Sequence, residues 1–356
     1  RILSKFIPIS KNLFTVIMSK NDIPILSVSL DRNEIDLIID APNSELLTSK
    51  ISKIGDAEKG IKNAEEFKNL VGKNFSWSIS PYYRLHLFDP DKPFYYDIGP
   101  ELGFSYKLKP GFYLNANFQD SLLSTFDQIH RGPKGTLPKV RSDSRNYLNV
   151  GKTRINDLTL SSYYKFPYNI YGRTTIGYLE TMYAGLSSEL LFSQYKTNYA
   201  LGMEINYLKA RGYDQRLTFR ELSGLSRLNG HLSGYWDTGY YNYLAQLDYG
   251  KYLAGDKGGT ITLTRNFPNG WKVGGFFTLT DATFAEFGEG SFDKGIFFSI
   301  PFNSVTPIET IDAIEEKIKP IQGDGGARVD VTGRLYEMLH PYKKNTIETT
   351  WSSIWR

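Results

Sequence analysis

The stretch YYDIGPELGFSYKLKPGFYLNANFQD, residues 95–120, decides the fold. From Tyr96 onward every second residue is bulky or apolar (Tyr96, Ile98, Pro100, Leu102, Phe104, Tyr106, Leu108), while Asp97, Gly99, Glu101, Gly103, Ser105 and Lys107 interleave. A two-residue period places these sets on opposite faces of a β-strand. After a turn at Lys109, Pro110 and Gly111 the alternation resumes, with Phe112, Leu114, Ala116 and Phe118 against Tyr113, Asn115, Asn117 and Gln119. In a water-soluble sheet the apolar face would pack on a core. The pattern of the remaining chain predicts that it meets lipid instead.

That alternation starts at Asn74 and hardly stops. NFSWSISPYYRLHLF puts Phe75, Trp77, Ile79, Tyr83, Leu85 and Leu87 opposite Ser76, Ser78, Ser80, Arg84 and His86. Further strands are expected near 93–108, 110–119, 146–165, 169–182, 187–195, 199–211, 229–238, 241–252, 259–267, 271–281 and 292–302, twelve in all. The connections are sorted: KLKPG, KFPYN, YKTN, DTGY and FPNG are short, whereas 120–145, 212–228 and 282–291 are long. Outer-membrane barrels have short periplasmic turns, long outer loops and an even strand number. A soluble sandwich or a lipocalin-like barrel is the rival that alternation alone leaves open.

Composition agrees with a strand-rich chain. Its 356 residues include 25 Tyr, 22 Phe and 32 Gly but no Cys, which excludes disulfides and thiolate metal sites. Mean hydropathy is −0.36 and no run reaches the ~18 apolar residues of a membrane helix, which leaves a barrel open. A net charge of +4 from interspersed acids and bases shows no nucleic-acid footprint. The sequence opens on Arg1 without an apolar leader, so export is not read from its first residues. No cofactor or metal is expected.

The ends differ from the middle. Residues 1–72 read as a small periplasmic α+β module: NLFTVIMSKNDIPILSVSL as two strands around Lys20, Asn21 and Asp22, then DRNEIDLIID and DAEKGIKNAEEFKNLVG as charged helices. Residues 73–303 form the barrel, and 304–356 a periplasmic helical or extended tail. In TPIETIDAIEEKIKP, Ile308, Ile311, Ile314 and Ile318 have helical spacing, while GDGGARVDV reads as a Gly-rich turn into a short strand. Two more strands near 327–336 and 346–355 would raise the count to fourteen.

LPKVRSDSRNYL, GRTTIGYLETMYAGLSSELLF, LDYGKYLAGDKGGTITLTRNFPNGWKVGGFFTLTD, FGEGSFDKGIFFSIPF and GDGGARV, between Leu137 and Val329, resemble the conserved blocks of the YjbH family of exopolysaccharide and capsule export proteins. The resemblance implies an outer-membrane barrel of a Gram-negative bacterium with periplasmic appendages. Its implied partners are outer-membrane lipid, exopolysaccharide and periplasmic components of a polysaccharide secretion system. Members are often longer, so this chain resembles one half or a short member, and a second barrel half is a further candidate partner. No catalytic residues are implied.

The candidate site residues follow from position. Arg141, Asp143 and Arg145 close the first long loop, Arg211, Arg216 and Arg220 fill the second, and Glu286, Glu289, Asp293 and Lys294 surround the third. Pairing the acids of the third loop with those arginines would hold the loops inward as a lid, against the plain reading of solvated loop charges. Sugar contact needs amides, hydroxyls and aromatic faces, and alternation turns Tyr113, Asn115, Asn117, Gln119, Asn242, Gln246 and Asp248 inward. Function is therefore expected to be non-enzymatic help in exopolysaccharide secretion. The alternatives are a barrel-wall lipid or glycan hydrolase, built on His231 and Ser233 with Asn242 or on Glu286 and Glu289, and a general diffusion pore or structural scaffold.

Overall fold

Strand pairing follows the alternation closely. The computed structural model describes residues 13–38, 44–57, 74–87, 92–129, 135–288, 292–301, 313–319 and 323–354. At the N-terminus β1 (Leu13–Lys20), β2 (Ile23–Asp31) and β3 (Lys53–Asp56) form an antiparallel sheet in that order, with helices α1 (Arg32–Ile38) and α2 (Ser44–Ile51) between β2 and β3. The hairpin and the first helix match expectation. The helix expected within 56–72 falls almost wholly on residues 58–73, outside the described ones.

The second sheet holds β4 (Phe75–Leu87), β5 (Phe94–Lys109), β6 (Phe112–Asp120), β8 (Thr153–Phe166), β9 (Ile170–Tyr178), β10 (Tyr183–Ser193), β11 (Tyr199–Ala210), β12 (Leu228–Asp237), β13 (Tyr243–Lys251), β14 (Lys257–Asn266), β15 (Lys272–Thr280), β16 (Asp293–Pro301) and β17 (Ala313–Ile318). Each pairs with the next in an antiparallel meander, and the two-residue β7 (Leu123–Ser124) pairs with β5. The path therefore has thirteen strands, where twelve or fourteen were expected. The thirteenth, β17, comes from the segment read as an amphipathic helix. Its Ile314, Glu316 and Ile318 also fit a two-residue period, and the free edge of β16 supplies a ladder from Ile296↔Ile318 to Pro301↔Ala313. The sites of the two extra strands hold helices α5 (Leu335–Leu339) and α6 (Lys344–Ile354) instead, and residues 327–331 are irregular rather than a strand.

The sheet curls into a nearly closed barrel. Its edges β4 and β17 line one cavity between them without a hydrogen-bonded ladder among the described residues. An odd count explains the seam. In a meander of thirteen strands the first and last run the same way, so closure requires a parallel ladder, which is slightly less stable per residue.

The barrel is apolar outside and polar inside. Outward residues include Leu201, Met203, Ile205 and Tyr207 on β11, Leu232 and Trp236 on β12, Leu247 and Tyr249 on β13, and Ile261 and Leu263 on β14, all exposed. Inward residues of the same strands are buried: Glu204, Asn206, Asn229, His231, Ser233 and Asp248. The apolar belt continues through Trp77 and Ile79 on β4, Leu114 on β6, Ile176 on β9, and Val273 and Phe277 on β15. The face of residues 95–120 that raised the question thus covers the barrel exterior.

The N-terminal sheet sits at the end of the short turns. The β1–β2 turn, with Asn21 and Asp22 at φ 50° and 61°, brings the Asp22 carboxylate to Lys107 Nζ, Tyr113 Oη and the Gly111 N–H (3.2 Å). Burial raises the pKa of Asp22, but hydrogen bonds from Lys107, Tyr113 and Gly111 outweigh it and hold the carboxyl below its ordinary value of 3.8. A depressed carboxyl contributes stability above the unfolded value and loses it as pH falls further. We expect Asp22→Asn, an αL-tolerant change, to weaken docking of this sheet by about 1–2 kcal/mol at neutral pH. Measured by proteolysis of the 1–72 region, the difference from the parent should shrink as pH falls below 3.8 and the carboxyl takes up its proton; a difference that does not shrink with falling pH refutes the ionic contact.

Candidate functional site: the plugged lumen

The residues that fill the barrel come from its own C-terminal segment. From the long-loop end, Asp324 accepts hydrogen bonds from the backbone N–H groups of Arg141 (2.7 Å) and Ser142 (2.9 Å). Gly326 donates to Asp256 at 2.8 Å, and Leu253 donates to the Ala327 carbonyl at 2.9 Å. Arg328 and Arg334 then reach the strand wall, and Tyr336 stacks on Tyr235 with ring centroids 3.7 Å apart. At the short-turn end Lys343 donates to the carbonyls of Gln194, Thr197 and Tyr199, and α6 packs with the N-terminal sheet in one core that includes Leu26, Leu335, Ile347 and Trp351. Residues 323–343 therefore run the length of the lumen as a plug. Two glycines permit this: at Gly326 (φ 70°) a Cβ would lie 2.6 Å from Thr278 Cγ2, and at Gly333 (φ 78°) 2.2 Å from Tyr163 Oη.

Charge locks the plug. Glu204, on the inward face of β11, receives Arg334 Nε at 2.9 Å and Nη2 at 3.2 Å, Arg173 Nη2 at 3.4 Å, and Arg328 at 3.6 Å. Arg173 also donates to Glu189 at 3.0 Å, and Arg328 meets Asp248 at 2.9 Å. Glu189 accepts the Leu335 N–H at 3.2 and 3.1 Å, so a wall carboxylate caps the first turn of the plug helix α5. Burial opposes the charge on Arg334, and its two hydrogen bonds to the Glu204 carboxylate offset that cost. Isolated charges could not be buried this way; the carboxylate–guanidinium lattice offsets their desolvation.

The loop charges do form a cap, with partners other than those expected. Arg141 is bidentate to Glu180 (2.8 and 2.9 Å) and lies 3.6 Å from Asp330 of the plug. Asp143 pairs with Arg220 at 2.9 Å, joining the first long loop to the second, and Arg145 lies half-buried in helix α3 (Ser144–Val150). Arg211 is fully buried and donates to the carbonyls of Ile155, Asn156, Glu180 and Gln215, so it clips loop backbones together; Arg216 is exposed. Asp293 pairs with Lys319, and Lys294 lies over the Phe292 ring. Glu286 forms a capping box with Thr283 at helix α4 (Phe284–Phe287), and Glu289 lies outside the described residues. The expected lid is thus corrected for Glu286 and Asp293, which pair with none of Arg141, Arg211, Arg216 and Arg220 among the described residues. Loop docking here uses backbone, with Thr136 and Leu137 N–H groups donating to the Glu286 carbonyl, while the Glu286 carboxylate is taken by the capping box of its own turn.

The inward amides are largely committed to one another. Tyr113 donates to Asp22, Asn115 accepts from Ser105, Asn117 donates to Asp157, Gln119 donates to Glu101, and Gln246 donates to Asp248. Asn242 lies in the turn before β13 at φ 57°, not on the strand face where it was expected. Ser233 Oγ donates to Asp248, and among the described residues neither ring nitrogen of buried His231 has a hydrogen-bond partner; its ring packs on Tyr252. Sequence reading assigned no role to Arg173, Glu180, Glu189, Arg328 or Arg334. Inward alternation marks the strand members, but only the threaded tail reveals their partners.

Comparison with known proteins places this architecture. The chain is 33% identical over 203 residues to the uncharacterized lipoprotein YjbH of Escherichia coli (strain K12), which covers 57% of this chain and 29% of that protein. The chain thus spans less than a third of the length of the curated relative it matches. A family model described as "Exopolysaccharide biosynthesis protein YbjH" matches residues 1–341, from the N-terminal sheet through the barrel and the plug. With nearly the whole chain covered, the protein belongs to the YjbH family of exopolysaccharide biosynthesis proteins.

Proposed function

We propose that this protein is a non-enzymatic outer-membrane barrel of a Gram-negative bacterium that assists secretion or assembly of an exopolysaccharide at the outer membrane. The observation that carries this reading is the inverted sheet, with an apolar exterior belt around an ion-paired interior. Contiguous apolar surface of this extent is costly in water and favourable in lipid, while polar groups facing hydrocarbon would be expensive. Family membership supplies the exopolysaccharide context, and the relative's description as a lipoprotein fits an envelope location. The plug argues against a general diffusion pore. It favours a closed barrel whose N-terminal module and α6, at the short-turn end, meet periplasmic components of the secretion system, a second barrel half among the candidates.

Deleting the gene from its host should lower the amount of surface or released polysaccharide, measured as total acid-hydrolysed sugar, without changing which sugars are present. A changed sugar composition would instead assign the protein to polymer synthesis, and an unchanged amount would remove the secretion role. Protease added to intact cells should cut within 120–145, 212–228 or 282–291; cleavage confined to the turns at 109, 167 and 268 would invert the orientation.

A further inference from the structure

A cavity of about 750 Å³ lies between the edge strands β4 and β17 and the plug. Its size falls within the range of ~300–1,000 Å³ usual for small-molecule sites. Two of its lining cations stand apart from the ion-pair lattice. Arg84 of β4 makes its three hydrogen bonds from one nitrogen, Nη2, to neutral oxygens: Gln119 Oε1 (3.1 Å), Asn156 Oδ1 (3.0 Å) and Thr181 Oγ1 (3.0 Å). Lys317 of β17 lies over the Phe276 ring at 4.2 Å, while its neighbour Lys319 takes the Asp293 carboxylate. Among the described residues neither Arg84 nor Lys317 has a carboxylate within 4.0 Å, whereas Arg141, Arg154, Arg173, Arg220, Arg328 and Arg334 all do. A guanidinium locked on one side by two amides and a hydroxyl, with Nε and Nη1 paired to no carboxylate among the described residues, is a preorganised donor for an anion.

We propose that this seam cavity binds a carboxylate-bearing sugar, with Arg84 and Lys317 receiving the carboxylate from the two facing edges. This deepens the exopolysaccharide reading and rests on it. The lining around the pair is rich in neutral groups suited to sugar hydroxyls, among them Asn156, Thr181, Thr278 and Thr332. Acids also line the cavity. Glu180 and Asp330 are occupied by Arg141 and Asp293 by Lys319, and Asp157 accepts from Asn117 and Asn156, but Glu315, Glu316 and Glu337 make no ion pair among the described residues. They would repel a densely charged polyanion, so the site selects a ring with a single carboxylate rather than a polyphosphate.

The test is calorimetric titration of the purified full chain in detergent with trigalacturonate and, separately, with neutral maltotriose. Trigalacturonate should bind at least about tenfold more tightly than maltotriose, and less tightly as salt rises. Arg84→Gln and Lys317→Gln should each weaken it about tenfold or more, with thermal unfolding confirming that each variant is folded. Should Arg84→Gln lose the fold through its three amide and hydroxyl contacts, Lys317→Gln decides alone. Equal affinity for the two sugars, no binding of either, or insensitivity to Lys317→Gln overturns the proposal. The secretion role is read independently: reduced polysaccharide on gene deletion, with no trigalacturonate binding, removes the site and leaves that role standing.

Discussion

Replacing Leu247, Ile261 or Phe277 by arginine should prevent assembly of the barrel in lipid bilayers. The three residues form a row across β13, β14 and β15, paired Leu247↔Ile261 and Ile261↔Phe277, and all are exposed on the outer face. An arginine on the lipid face near the bilayer midplane costs roughly 2–4 kcal/mol per site, and less toward the interfaces. In water the same substitution at an exposed strand position changes stability by only about ±0.5 kcal/mol. The two environments therefore give opposite results for one experiment. Folding into vesicles, followed by protection from protease, should fail or drop steeply for each variant, while Ser76→Arg should assemble normally. Ser76 is the fitting control because it is exposed on the inward face of β4; Thr278 is not, since it is 3% exposed and lies against Gly326. Normal assembly of all three outer variants would sink the membrane reading.

Removal of Glu204 should release the plug. Its carboxylate is shared by Arg173 from the wall and by Arg328 and Arg334 from the plug, so Glu204→Ala leaves three guanidinium groups facing one another around a lost partner. Breaking a buried ionic cluster by deleting one member typically costs about 3–5 kcal/mol, because the remaining charges stay desolvated. Arg173 keeps Glu189 and Arg328 keeps Asp248, whereas Arg334 keeps the Val329 carbonyl of the plug itself and no carboxylate on the wall among the described residues. The damage should thus concentrate on 329–335. In planar bilayers the parent should show little conductance and Glu204→Ala frequent openings, with new protease cleavage inside 323–343. Steady, wide conductance in the parent would refute the plug as the closing element. Silent bilayers and an unchanged digest for Glu204→Ala would refute the lattice as its lock.

Most of the sheet was legible because a two-residue period survives wherever one face is dry and the other is wet. Tyr96 to Leu108 and Phe112 to Phe118 appear in the structure on the outer face they were assigned from alternation, and the short turns at 109–112 and 238–242 end where Pro, Gly and Asn predicted. Alternation failed where the period breaks. At β8 the pairing skips from Asn117↔Asp157 to Phe118↔Ile155, a bulge that turns both Asn156 and Asp157 toward the lumen, where Asn156 receives Arg84. A single inserted residue of this kind carries no signature in residue type.

The chain by itself determined the strand order, the apolar exterior, the polar interior and the sorting of turns from loops, since each depends on neighbours two to twenty residues away. It could not decide whether Ala313–Ile318 is helix or strand. Six residues satisfy both periods, and the free edge of β16 settled the matter. Nor could it match Arg334 to Glu204, 130 positions apart, or Arg328 to Asp248. Burial of charge is decided by where the oppositely charged partner arrives, and only the folded barrel, with its own tail drawn through it, brings those partners within hydrogen-bond distance.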